Sequence, residues 1–108
     1  MSLYNYIKQF SKKQPTKCAI VIDNVNFSYI KLLNLVDQTI IVFNKNNITK
    51  KSKVLIVEDN TLAHILTLFA LSYINATAIP ANTHYSTDSL SDLIKLTKHK
   101  ITNQYLRG

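Results

Sequence analysis

Lys53-Val54-Leu55-Ile56-Val57-Glu58-Asp59-Asn60, continued by Thr61 to Asn75 and then Ala76-Thr77-Ala78-Ile79-Pro80, is the stretch that decides the fold. Val54 to Val57 is an unbroken apolar run rich in β-branched residues, the pattern of a strand covered on both faces. Asn60 is a good helix N-cap, because its side chain can accept from a free N–H of the first turn. Leu62, Ile65, Leu66, Phe69, Ala70 and Tyr73 follow at helical spacing. The helix is apolar nearly all round, as a helix covered on both sides is. Asn75 stands where a left-handed C-terminal residue is expected, a position more often held by Gly. Thr77 to Pro80 is a further strand, ended by proline. A strand, a helix and a strand at this spacing form a βαβ unit, so the two strands are expected to be parallel.

Towards the N-terminus, Ser28 caps a long helix with an apolar stripe of Tyr29, Leu32, Leu33, Val36, Ile40 and Phe43. Asn44 to Asn47 stops it, and Thr49 to Ser52 is a polar turn. Before that helix, Cys18 to Ile22 reads as a buried strand. Asp23-Asn24 is turn chemistry, and Val25 to Phe27 returns as a hairpin. Ser2 caps a first helix through about Lys12, with Leu3, Tyr6, Ile7 and Phe10 on one face. Towards the C-terminus, Ala81 to Tyr85 is a loop and Ser86 to Ser89 offers several caps. Leu90, Leu93, Ile94 and Thr97 then mark a last amphipathic helix to about His99. Ile101 to Leu106 is a final strand or a frayed tail, with weak order expected over 102–108. No internal repeat or linker interrupts the chain. The expectation is a single α/β domain over 1–108, with a mostly parallel sheet and packed helices.

The composition narrows function. The chain has 108 residues, 46% of them apolar, enough for one modest core. Its one glycine is Gly108, at the last position. Loops that wrap phosphates use glycine for close backbone approach and positive φ, and no such cradle can be built from glycine here. The net charge of +7 comes from 13 basic and 6 acidic residues, and twelve of the basic residues are lysine, with Arg107 the exception. Nucleic-acid readers lean on arginine, and these lysines fall in separate short groups, so a solvated surface is expected and no nucleic-acid partner. Leu62 to Pro80 carries no formal charge, but Asn75 interrupts it after about fourteen residues, short of the roughly twenty a membrane span requires. Cys18, the only cysteine, is expected to be a buried structural thiol. The lack of an export signal points to a cytoplasmic setting.

No catalytic, cofactor-binding or metal-binding residue emerges from this reading. His64, His84 and His99 are isolated from carboxylates and thiols at ligand spacing. His64, on an apolar helix, is expected to be a hydrogen-bonded core residue. Ser28 and Ser72 lack the glycine-flanked elbow of an esterase serine. Lys53 to Asn60 also resembles the first strand of a response-regulator receiver domain, in which an acidic pair helps hold Mg²⁺. That chemistry needs an Asp at the tip of a later strand, and the only downstream acids, Asp88 and Asp92, sit on or beside the last expected helix. The plainer reading of Glu58-Asp59-Asn60 is a strand end and a capped helix, with carboxylates near the positive helix end.

A second resemblance covers most of the chain. From Lys17 to about Ile101 the order of elements resembles the N-terminal region of the adenylate-forming superfamily: acyl-CoA synthetases, fatty-acyl-AMP ligases and adenylation domains of peptide synthetases. Its Thr/Ser-Tyr-x-Glu-Leu signature reads Ser28-Tyr29-Ile30-Lys31-Leu32 here, with Lys31 where Glu is usual. Its Gly-x-x-x-Gly-Asp-x-Val-Ala segment is replaced by Asn47 to Leu55, without Gly or Asp. Asn60, the apolar helix and Asn75-Ala76-Thr77-Ala78-Ile79-Pro80 follow in the family's order. The resemblance implies an N-terminal subdomain fragment of an ATP-dependent carboxylate-activating ligase, with ATP and Mg²⁺ used by the full-length family and none bound by this chain. The acyl substrate belongs to the parent. The family's phosphate loop, aromatic-acid motif and C-terminal lysine domain have no counterpart here, so the chain is expected to be inactive alone. Its expected partner is the remainder of a larger ligase or a second copy of itself; a stand-alone self-associating interaction module is the first alternative and a receiver-like phosphosignalling domain the second.

Overall fold

The computed structural model describes residues 2–56, 60–80 and 98–101. The elements run α1 (Leu3–Lys13), β1 (Cys18–Ile22), β2 (Val25–Ser28), α2 (Tyr29–Lys45), β3 (Lys53–Ile56), α3 (Thr61–Ile74), β4 (Thr77–Pro80) and β5 (Lys98–Ile101). The expected loop Ala81 to Tyr85, the body of the last expected helix, the Glu58-Asp59 pair and the tail at 102–108 lie outside the described residues.

The βαβ unit forms as its pattern dictates. β3 is central in a three-stranded sheet of order β4-β3-β5, and it pairs in parallel with both neighbours, Val54 against Ala78 and against His99. Val54, Leu55 and Ile56 are all fully buried. Asn60 caps α3 by accepting from the Ala63 N–H at 2.9 Å, and Asn75 closes it in the left-handed conformation at φ 66°. The Thr77 N–H then donates to the Ser52 carbonyl at 3.0 Å, tying the start of β4 to the start of β3.

β1 and β2 form a separate two-stranded antiparallel sheet. Asp23 and Asn24 sit between the paired Ile22 and Val25 with φ of 51° and 65°. Two consecutive positive φ values give a turn whose twist matches the strands. The chain is thus a small mixed α/β fold.

α2 ends in a complete C-cap motif without glycine. Asn47 adopts φ 61°. The Ile48 N–H reaches the Phe43 carbonyl at 3.1 Å, and the Asn47 N–H reaches that of Asn44 at 3.1 Å. The buried side chains of Ile48 and Phe43 add the apolar contact that accompanies this motif. The core lies between α2, α3 and one face of β3, around Val36, Phe43, Val54, Ile56, Ala70 and Leu71. Burying a side chain such as Phe43 stabilises by about 1.5–3 kcal/mol.

Three expectations are corrected. On α1 the buried face is Tyr4, Ile7 and Ser11, while Leu3, Tyr6 and Phe10 are 49%, 51% and 43% exposed. Two overlapping apolar rows wind round this helix, and the row that meets α2 and α3 is the one starting at Tyr4. β1 is not buried: Cys18 is exposed and Val21 is 59% exposed. A two-stranded hairpin packed on helices by one face leaves its other face open. Lys98 and His99 belong to β5, not to the end of a helix. Backbone pairing along β3 outweighs their local pattern, since strand formation depends on the neighbour a segment finds.

Candidate functional site

A groove of about 290 Å³ opens between α1 and β1. Leu3, Tyr6 and Phe10 of α1 form one wall, Ile20 of β1 the other, and Tyr29 and Phe69 line it from α2 and α3. The Phe10 and Tyr29 rings stack with centroids 5.3 Å apart and planes 21° apart. The wall formed by α1 belongs to the row that the sequence spacing places on one face of the helix. None of the lining side chains is a carboxylate, imidazole, amine or thiol. The arrangement can receive an apolar group, but it supplies no acid, base or nucleophile of ordinary reactivity at neutral pH.

A polar node lies at the junction of the three helices, centred on Tyr4. Its hydroxyl donates to Asp37 Oδ1 of α2 at 2.8 Å. Its backbone N–H donates to Ser72 Oγ of α3 at 3.1 Å, and Ser72 Oγ donates in turn to the Phe69 carbonyl at 2.6 Å. The Tyr4 ring meets that of Tyr73 edge-on at 4.6 Å. Burial, then the hydrogen bond to the Asp37 carboxylate and its charge, push the Tyr4 phenol up to about 12. A phenol so held is a fastener between helices, not a proton donor near neutral pH. Sequence reading missed this node because the partners lie 33 and 68 residues away. The signal available was the second apolar row on α1.

The other residues singled out from sequence stay apart. Ser28 caps α2, accepting from the Lys31 N–H at 3.2 Å. Ser72 belongs to the Tyr4 node. His64 is half-buried and its ring has no hydrogen bond among the described residues, which corrects the expected hydrogen-bonded core histidine. Exposed Cys18 donates to the Ile20 carbonyl at 3.4 Å. His84, Glu58, Asp59, Asp88 and Asp92 lie outside the described residues, and His99 is described in its backbone alone. Among the described residues no three of His, Cys, Asp and Glu come together as a metal site would require, and no helix is long and apolar enough to cross a membrane.

The sequence model of the AMP-binding enzyme family matches residues 7–102. The chain belongs to that family. No individually curated protein matches it in sequence. Solved structures share its fold. The Klebsiella oxytoca NpsA N-terminal subdomain in complex with anthranilyl-AMSN superposes with a TM-score of 0.81 at 17% identity, over 94% of this chain and 27% of that one. A Mycobacterium tuberculosis fatty acyl CoA synthetase gives 0.83 at 18% identity, over 94% of this chain and 20% of that one. NpsA-ThdA, an artificially fused adenylation-PCP di-domain from Klebsiella oxytoca, gives 0.83 at 16%, over 97% and 23%. The chain thus spans between a fifth and a third of the length of these chains. The residues that carry the sequence resemblance, Ser28, Asn60 and Asn75, all act in this structure as helix caps.

Proposed function

We propose that the chain forms the N-terminal part of an ATP-dependent ligase that activates carboxylic acids as acyl-adenylates. The observation that carries this reading is the family match over residues 7–102. The parent reaction joins a carboxylate to the AMP portion of ATP with Mg²⁺, releases pyrophosphate and passes the acyl group to a thiol. In this reading residues 1–108 are one domain, act as scaffold in a cytoplasmic setting, and contribute no catalytic, cofactor-binding or metal-binding residue.

The described residues do not fit a nucleotide. The left-handed positions, where a phosphate loop would turn, are Asp23, Asn24, Asn47 and Asn75, each used in a hairpin turn or a helix end. The three described helix N-termini direct an N–H at their own caps: Asn5 to Ser2, Lys31 to Ser28 and Ala63 to Asn60. No reaction step is assigned to these residues, and the chain alone is inactive. Incubation with ATP, Mg²⁺ and a panel of carboxylates tests this, and pyrophosphate release above a protein-free blank refutes it.

A second reading, a stand-alone interaction module, is favoured by the exposed apolar side chains of Leu3, Tyr6, Phe10, Val21 and Val25. Its simplest form is self-association. A monomeric mass by light scattering at high concentration removes that form.

A further inference from the structure

We propose that the groove between α1 and the β1–β2 hairpin is a docking site for an amphipathic helix of another polypeptide, apolar on one stripe and acidic beside it. The inference goes beyond the ligase reading and stands on the groove's shape and charge.

The groove is concave and apolar, and its wall on α1 repeats at Leu3, Tyr6 and Phe10. A helix that presents side chains at i, i+3, i+4 and i+7 fits such a channel. The exposed aromatic rings of Tyr6 and Phe10 are of the type that anchors interfaces. The rim is positive. Lys13 continues the row of Tyr6 and Phe10 on α1 and is exposed. Exposed Lys17 accepts the Tyr29 N–H through its carbonyl at 3.0 Å, which sets it beside the ring stacked on Phe10. Tyr29 also opens α2, whose first turn holds no acidic side chain that would offset these lysines.

Over the whole chain 13 basic residues stand against 6 acidic ones. Asp37 is engaged by Tyr4, and Asp23 is at the hairpin tip. A second copy, bearing +7 like the first, meets this rim with like charge. A flat anionic membrane complements the charge but cannot fill a channel. An acidic amphipathic helix satisfies both.

The test uses the full chain and two labelled peptides of one amphipathic design. Both carry leucine at i, i+3, i+4 and i+7; one has glutamate on its flanks and the other lysine. Fluorescence anisotropy at low salt is expected to give at least about tenfold tighter binding of the glutamate peptide, with the preference shrinking at high salt. Tyr6→Ser and Phe10→Ser, which leave the net charge unchanged, are expected to weaken the glutamate peptide by about tenfold or more. Lys13→Glu with Lys17→Glu is expected to abolish the preference between peptides. Circular dichroism melts confirm that each variant is folded, and Tyr6→Ser, at a half-exposed site, serves if Phe10→Ser is not. Equal binding of both peptides, binding indifferent to Tyr6→Ser, or stronger Tyr6-dependent binding to phosphatidylserine vesicles than to the glutamate peptide would each overturn the proposal. So would a stable dimer that buries Tyr6.

Discussion

Replacing Tyr4 by phenylalanine removes one oxygen from the junction of three helices and leaves the ring in place against Tyr73. The lost interaction is a 2.8 Å hydrogen bond to a carboxylate. Bonds to charged groups contribute about 1.5–3 kcal/mol. Asp37 is half-buried and regains water when its donor goes, so the lower end applies, about 1.5 kcal/mol. For a domain of this size that lowers the melting temperature by about 6 °C. Burial of the phenol first, and then this same bond, make the cost depend on pH. Folded Tyr4 keeps its proton up to about 12, while the unfolded phenol releases it at 10.0. Between those values the unfolded chain binds fewer protons, so stability falls as pH rises. The contribution is complete below pH 10 and lost through about 12. Thermal melts of wild type and Tyr4→Phe across this range measure it as the gap between two curves, cancelling the titration of other groups. The gap should be widest below pH 10 and close above it. A variant melting within about 2 °C of wild type at neutral pH, or a gap unchanged through alkaline pH, would refute the reasoning.

Further outcomes follow from other elements. Asn47→Val places a β-branched residue at φ 61° and should cost about 1–2 kcal/mol in urea unfolding, whereas Asn47→Gly should stay within about 0.5 kcal/mol of wild type. Phe43→Ala empties a fully buried site and should cost about 3–5 kcal/mol in urea unfolding. Val21→Thr, on the open face of the hairpin, should change stability by less than about 0.5 kcal/mol while raising solubility.

The elements legible in the sequence are those whose reasons are local. Ser2, Ser28 and Asn60 are capping residues followed by helical periodicity, and each caps the expected helix. Asp23-Asn24 and Asn75 mark reversals because short polar side chains tolerate positive φ. What escaped depends on partners distant in the chain. Tyr4 and Leu3 each begin an apolar row on α1, and only the docking of α2 and α3 decides which is buried. Cys18 sits in a run that reads as core, yet its strand has one paired neighbour and one open face. The groove was invisible for the same reason, since its walls come from α1, β1, α2 and α3 and meet only after folding.

The left-handed positions at Asp23, Asn24, Asn47 and Asn75 have a consequence for the denatured chain. Until its last residue this polypeptide has a Cβ at every site, so it wanders through fewer backbone conformers when unfolded than a glycine-punctuated chain of equal length. Each such substitution for glycine withholds about 0.4–1 kcal/mol of entropy from the disordered ensemble where the native geometry is tolerated. Part of this molecule's resistance to melting therefore resides in its denatured state, where no inventory of native contacts records it.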